Sequence, residues 1–291
     1  MNQIVYFKSV IIFLVFVTSL SEAKLLKPSK NGEEKEILII NGKRRLYYPI
    51  KDEVMSYSLE GPTRLEFISR YPVLRKKGKS HSYNYKIIIN DEDTITVRHR
   101  YKVQKTIKSV QHPKHHYTYS GNYFVNLGKG SHNVNLVKND DQKYPVLVRV
   151  LAKEFDTIGK NKKILQPTIH QSPIEIISGD RTVNYFDCNS SYPLQIKAKG
   201  EKTLRILTRL QFTDSMGSEE SYRLKIKEGN KIIGTYYFNT ERSSVSQIRG
   251  RTDKVPGKWR SCDIKVPKGI HSYFIEVSDK SKTVLTRFML F

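Results

Sequence analysis

The stretch Ser82-Tyr83-Asn84-Tyr85-Lys86-Ile87-Ile88-Ile89-Asn90 decides the fold, because Tyr83, Tyr85, Ile87 and Ile89 alternate with Asn84, Lys86 and Asn90. Successive side chains of a β-strand point to opposite faces, so a period of two sets one large apolar face against one polar face. The same alternation runs through Tyr123-Val125-Leu127, Val134-Leu136, Tyr222-Leu224-Ile226, Ile264-Val266 and Tyr273-Ile275-Val277. No window of about eleven residues or more carries a helical stripe.

The opening stretch also belongs to a repeat. Ser82-Tyr83 and Lys86-Ile87 return as Ser221-Tyr222 and Lys225-Ile226, 139 residues later. In the same register Gly61, Leu65 and Arg70 fall on Gly200, Leu204 and Arg209, and Lys129-Gly130-Ser131-His132 falls on Lys268-Gly269-Ile270-His271. Gly42, Arg44, Leu46 and Tyr48 match Gly179, Arg181, Val183 and Tyr185 near the start, and Val146, Leu147 and Arg149 match Val284, Leu285 and Arg287 near the end. Three separated blocks in one register, with shifts of 137 at the start and 138 at the end, indicate internal duplication. Each unit has about eight short strands bounded by Gly, Pro, Asn and Asp turns, which predicts two tandem antiparallel β-sandwich domains of immunoglobulin-like or jelly-roll type.

The expected boundaries are a signal peptide over 1–23, a flexible leader over 24–35, one domain over 36–155, a linker over 156–171 and a second domain over 172–291. The signal assignment rests on Lys8, the apolar run Val10 to Leu20, and small residues Ser21 and Ala23 at peptidase spacing. That run is about half the roughly 20 residues a membrane span needs. The expectation is therefore an exported protein, periplasmic or extracellular, with no transmembrane span after cleavage. Its two cysteines, Cys188 and Cys262, are then expected to form a disulfide.

The formal charge is +23, and it survives cleavage of the signal peptide because Lys8 and Glu22 leave together. Such an excess favours anionic partners. The candidate anion- or glycan-binding residues are Arg75, Lys76, Lys77 and Lys79; Arg98, Arg100, Tyr101 and Lys102; and Arg249, Arg251, Lys258, Trp259 and Arg260. Basic side chains interleaved with aromatic ones supply charge contacts together with stacking platforms. The repeated arginines Arg70/Arg209 and Arg149/Arg287 lie in apolar strands and require either a carboxylate partner or an external anion. The cluster His112, His115 and His116 stands among Pro113, Lys114, Tyr117 and Tyr119, the composition of a loop, and Lys114 works against a cation, so it reads as surface histidine and no metal is assigned.

Sequence motifs for a nucleophilic serine, a metalloprotease zinc site, a phosphate loop or a dinucleotide fold are absent. No cofactor is expected and no catalytic residue is assigned. The architecture resembles the broad class of exported tandem β-sandwich proteins. The terminal Thr286-Arg287-Phe288-Met289-Leu290-Phe291 resembles the end signal of outer-membrane barrels, but Arg287 falls on the face of Phe291 and interrupts a lipid-facing stripe. The sequence thus points to a non-enzymatic module for acidic polysaccharide or lipopolysaccharide. The competing expectation is an envelope scaffold bound to another envelope protein.

Overall fold

The computed structural model describes residues 23–74, 80–139, 142–154 and 161–291; the expected signal peptide, apart from Ala23, lies outside them. The N-terminal half forms β1 (Lys24–Leu25), β2 (Glu36–Ile40), β3 (Lys43–Ile50), β4 (Met55–Arg70), β5 (Pro72–Val73), β6 (His81–Ile89), β7 (Asp93–Tyr101), β8 (Val103–Gln104), β9 (Lys108–Ser109), β10 (His116–Thr118), β11 (Gly121–Lys138) and β12 (Val146–Lys153). The C-terminal half forms β13 (Lys163–Leu165), β14 (Ile174–Ser178), β15 (Arg181–Cys188), β16 (Leu194–Lys199), β17 (Lys202–Phe212), β18 (Glu219–Glu228), β19 (Lys231–Glu241), β20 (Ser246–Ile248), β21 (Val255–Pro256), β22 (Arg260–Val266), β23 (Ile270–Val277) and β24 (Val284–Leu290). The protein is all-β: among the described residues there is no helix, and so none long and apolar enough to cross a membrane.

In the C-terminal half β16, β23, β18 and β19 form one layer, and β14, β15, β24, β17 and β22 form the other. Tyr222, Leu224 and Ile275 of the first layer meet Leu204, Ile206 and Phe288 of the second in one core. In the N-terminal half β4 and β11 are long enough to serve both layers. They pair along most of their length and bend where the register shifts between Leu127 and Gly130, opposite Gly61. A Cβ on Gly61 would lie 1.8 Å from the Gly128 carbonyl oxygen, and one on Gly200 would lie 1.6 Å from that of Pro267, so both close approaches require glycine. Tyr57, Phe67, Tyr85, Val134 and Val148 fill the core inside the bend.

Other contacts recur at the same spacing. Ser69 Oγ lies 3.3 Å from the Tyr83 hydroxyl, and Thr208 Oγ1 lies 2.6 Å from the Tyr222 hydroxyl. One residue short of that spacing, a small satellite core of Leu38, Tyr47 and Leu147 has its counterpart in Ile176, Tyr185 and Leu285.

Two of the expected boundaries change. The leader over 24–35 is not a free arm, since Lys24 and Leu25 pair with Ala152 and Leu151, and the Ser29 amide donates to the Ser56 carbonyl at 2.7 Å. Within the expected linker, Lys163, Ile164 and Leu165 pair with Leu290, Met289 and Phe288, and the Thr168 amide donates to the Gln195 carbonyl at 2.7 Å. The cause is an open edge. β3 covers β12 only from Val146 to Val148, and β15 covers β24 only from Val284 to Thr286. The remaining backbone groups need partners. Lys24-Leu25-Leu26-Lys27-Pro28 and Lys163-Ile164-Leu165-Gln166-Pro167 supply them, again 139 residues apart.

The expected disulfide does not form: Cys188 and Cys262 are buried free thiols. Cys188 is on β15 and Cys262 on β22, with β24 and β17 between them. Three strand spacings alone separate them by about 14 Å, and the register adds four residues along the strands, well beyond the roughly 7 Å span a disulfide tolerates. Cys188 donates to the Ile275 carbonyl at 3.2 Å. The barrel-end resemblance also dissolves. β24 lies between β15 and β17, and Val284, Leu285 and Phe288 are fully buried.

Candidate ligand-binding cleft

The two halves meet where β11 and β19 pair in parallel, Tyr123 to Thr235, Phe124 to Tyr236 and Val125 to Tyr237. Phe124 stacks on Tyr236 with ring centroids 4.3 Å apart and joins the C-terminal core, while Tyr237 joins the N-terminal core. Beyond Val125 and Tyr237 the strands no longer pair, and a cleft of about 1010 Å³ opens between their continuations. The β6–β7 turn closes one side, and Ser243–Ser246 with Lys258–Ser261 close the other.

Two apolar side chains stand exposed on this rim, Trp259 at 59% and Val245 at 72%. Around them are planar amides, Asn90, Asn126 and Asn239. Asn126 Nδ2 donates across the halves to the Ser261 carbonyl at 2.9 Å, while its Oδ1 is buried without a partner.

Charge in the cleft is mixed. Arg205 is matched by Asp263 through two contacts of 2.7 Å, and Lys258 by Glu241 at 2.5 Å. The Lys258 ammonium holds the Glu241 carboxyl below its usual range. Arg209 differs. Its Nη1 donates to Ser246 Oγ at 3.3 Å and to the Gly257 carbonyl at 2.9 Å, its Nε is buried without a partner, and no carboxylate is in ion-pair range among the described residues. Its repeat partner Arg70 is likewise held by neutral oxygens, those of Tyr47, Gln104 and Thr118. Arg149 donates to the Leu46 carbonyl, and burial lowers its pKa. For Arg70, Arg149 and Arg209, then, the expected carboxylate pairing is replaced by contacts to carbonyl and hydroxyl oxygens.

Among the described residues the basic clusters do not converge on this cleft. Arg75, Lys76, Lys77 and Lys79 lie outside the described residues. Arg98, Arg100 and Lys102 are exposed on or just beyond β7, which pairs only with β6. They begin five residues past Asp93 at the cleft wall, which at 3.4 Å per residue is about 17 Å along the strand. Tyr101 is no platform, because its ring packs on the N-terminal core beside His99, 5.7 Å between centroids. In the C-terminal cluster Arg249 pairs with Glu175 at 2.8 Å and Arg251 with Asp187 at 3.5 Å. Arg260 donates to the Asn239 and Trp259 carbonyls at 2.6 and 3.1 Å. Acidic partners from distant strands therefore neutralise charges that looked free in sequence. Of the nine candidates among the described residues, Lys258, Trp259 and Arg260 reach the cleft. The asparagines and the Ser243–Ser246 loop had no distinguishing pattern.

No family model matches the chain, and no curated protein matches it. Among solved structures it is similar to the tandem CBM22-1 and CBM22-2 domains of Paenibacillus barcinonensis Xyn10C, with 10% identity and a TM-score of 0.23, covering 94% of this chain and 99% of that one. It is also similar to a Paenibacillus xanthan lyase, with 11% identity and a TM-score of 0.23, covering 93% of this chain and 25% of the lyase. A structure of the plant peptide RALF23 in complex with FER and LLG2 gives 8% identity and a TM-score of 0.25, covering 94% of this chain and 90% of that one. TM-scores this low carry no argument about the fold or the ligand of this chain.

Proposed function

We propose that the protein is an exported tandem duplication of one β-sandwich unit that binds a polysaccharide with acidic groups in the cleft between its halves, without turnover. The observation that carries this reading is the pairing of an exposed indole, Trp259, with a carboxylate-free guanidinium, Arg209, in one amide-lined groove. An aromatic face takes the apolar face of a sugar ring, and a guanidinium fork takes a carboxylate or sulfate. The duplication rests on strand pairings, core positions and edge strands that recur at spacings of 138 or 139 residues. Of the four carboxyls that line the cleft, Glu92, Asp93, Glu219 and Glu241, the last is tied to Lys258, which lowers its pKa, the opposite of what a glycosidase general acid needs.

The test is a binding panel of acidic polysaccharide, neutral polysaccharide, lipopolysaccharide and DNA, at two salt concentrations, with Trp259→Ala and Arg209→Gln. With roughly 250 Å² of surface for tryptophan, 59% exposure leaves about 150 Å² in water. A sugar ring covering half of that removes about 75 Å², worth about 2 kcal/mol, or roughly 30-fold in affinity. Trp259→Ala is expected to lose most of that factor. Arg209→Gln is expected to remove the preference for acidic over neutral chains. Binding unchanged by both substitutions overturns the cleft assignment, and binding to no member of the panel leaves the envelope-scaffold reading in its place.

A further inference from the structure

A second polar constellation lies away from the cleft, at the edge formed by β2 and β9. Glu36 opens β2; Ser109 closes β9; His112 and His115 follow in the turn before β10. The His115 amide donates to the His112 carbonyl at 3.0 Å, closing a four-residue turn with Pro113 in second place. Proline there presets the backbone angle that such a turn requires. The turn stacks the two imidazoles, 4.7 Å between centroids and 8° apart in plane. It directs exposed Lys114 away into solvent.

The carboxylate of Glu36 faces this pair. Its Oε1 accepts from Ser109 Oγ at 2.7 Å and from the Tyr117 hydroxyl, and lies 3.1 Å from His112 Nδ1. Ligand atoms of Glu36, His112 and His115 all lie within 4.8 Å of one another. A tetrahedral ion with bonds near 2.05 Å needs neighbouring ligands about 3.3 Å apart, so the ligand atoms have to draw together around it, and His112 is exposed.

The other half of the molecule shows that the fold itself does not ask for these groups. Glu36 pairs with Tyr47 at the position where Ile174 pairs with Tyr185. Ser109 pairs with Leu38 where Ile248 pairs with Ile176. Both isoleucines are buried in their satellite core. A buried carboxylate stands where isoleucine suffices, and burying it costs free energy unless something is gained.

We propose that Glu36, His112 and His115 form a binding site for one divalent ion of the zinc type. Two nitrogens and one carboxylate suit zinc over calcium or magnesium, and three protein ligands leave a fourth position for water or an incoming group. Tyr117 and Ser109 hold the carboxylate in place, the supporting role that outer hydrogen bonds play at metal centres. The site is independent of the cleft and of the polysaccharide reading.

The experiment titrates the metal-stripped full chain with Zn²⁺ against a chromophoric chelator, and with Co²⁺ while recording its visible spectrum. One equivalent of Zn²⁺ and the intense absorption of four-coordinate cobalt are expected. His115→Asn, in the exposed turn, is expected to weaken binding by at least about 10-fold. Glu36→Ile installs the residue of the other half and is expected to fold and lose the site. Circular dichroism verifies the fold of each variant, and if Glu36→Ile fails to fold, His115→Asn decides. No binding by the parent chain, or equal binding by the parent and by folded His115→Asn, overturns the proposal.

Discussion

Phe124→Ala is the most demanding test of how the halves are joined. The ring is 7% exposed, stacks on Tyr236, and fills the space over Gly234, where a Cβ would come within 2.6 Å of it. Truncating a buried phenylalanine costs about 3–5 kcal/mol, of which the ring pair accounts for about 0.5–1.5. Because the ring comes from the N-terminal half and the cavity opens in the C-terminal core, the loss falls on the seam. Calorimetry is expected to replace one unfolding transition with two, the lower one falling by roughly 10 °C at about 2–4 °C per kcal/mol. Phe67→Ala, a fully buried ring belonging to the N-terminal core alone, is the control. It should destabilise comparably without weakening the seam. A single transition for Phe124→Ala with a loss below about 1 kcal/mol would refute the reasoning, since no well-packed aromatic truncation is that mild.

Burial holds the pKa of His99 down to about 4. Unfolded histidine protonates near 6.5, so the unfolded chain binds the extra proton first as pH falls, and up to roughly 3 kcal/mol of stability is lost between pH 6.5 and 4. His99→Phe should flatten denaturation midpoints across that window; an unchanged profile rejects the assignment. Burial also raises both thiols, Cys188 to about 12, so neither should react with a thiol reagent in the native protein. Both should react after denaturation without reductant, and a denatured chain with no free thiol would restore the disulfide.

The strands around Tyr83 and Tyr222 were legible because alternation is a local property, and Gly61 and Gly200 stood out as matched positions because close approaches of backbone need glycine. What could not be read depends on strand order. Cys188 and Cys262 looked like partners until two strands came between them, and Arg249 and Arg251 looked free until Glu175 and Asp187 arrived from β14 and β15. The cleft exists only because β11 and β19 pair in parallel, a contact between segments with no shared pattern. Glu36 is 76 residues from His112, beyond any ligand spacing that a motif could carry. The edge strand was a different case. Lys24-Leu25-Leu26 and Lys163-Ile164-Leu165 repeat in the main register, but flanking Pro, Asn and Gly residues gave them the composition of a linker.

Those two short strands bear on how such a chain stays in solution. Each lies along the part of its own half's last strand that β3 or β15 leaves uncovered, Leu151–Ala152 in one case and Phe288–Leu290 in the other. Exposed strand edges template association between molecules. Every unit therefore carries its own guard against sticking to its neighbours, placed ahead of the strand it protects by the full length of the unit. A chain shortened to Pro173, where the strand pattern of the second unit begins, would leave the Phe288 edge bare and prone to aggregate, whereas one starting at Lys163 would keep it covered.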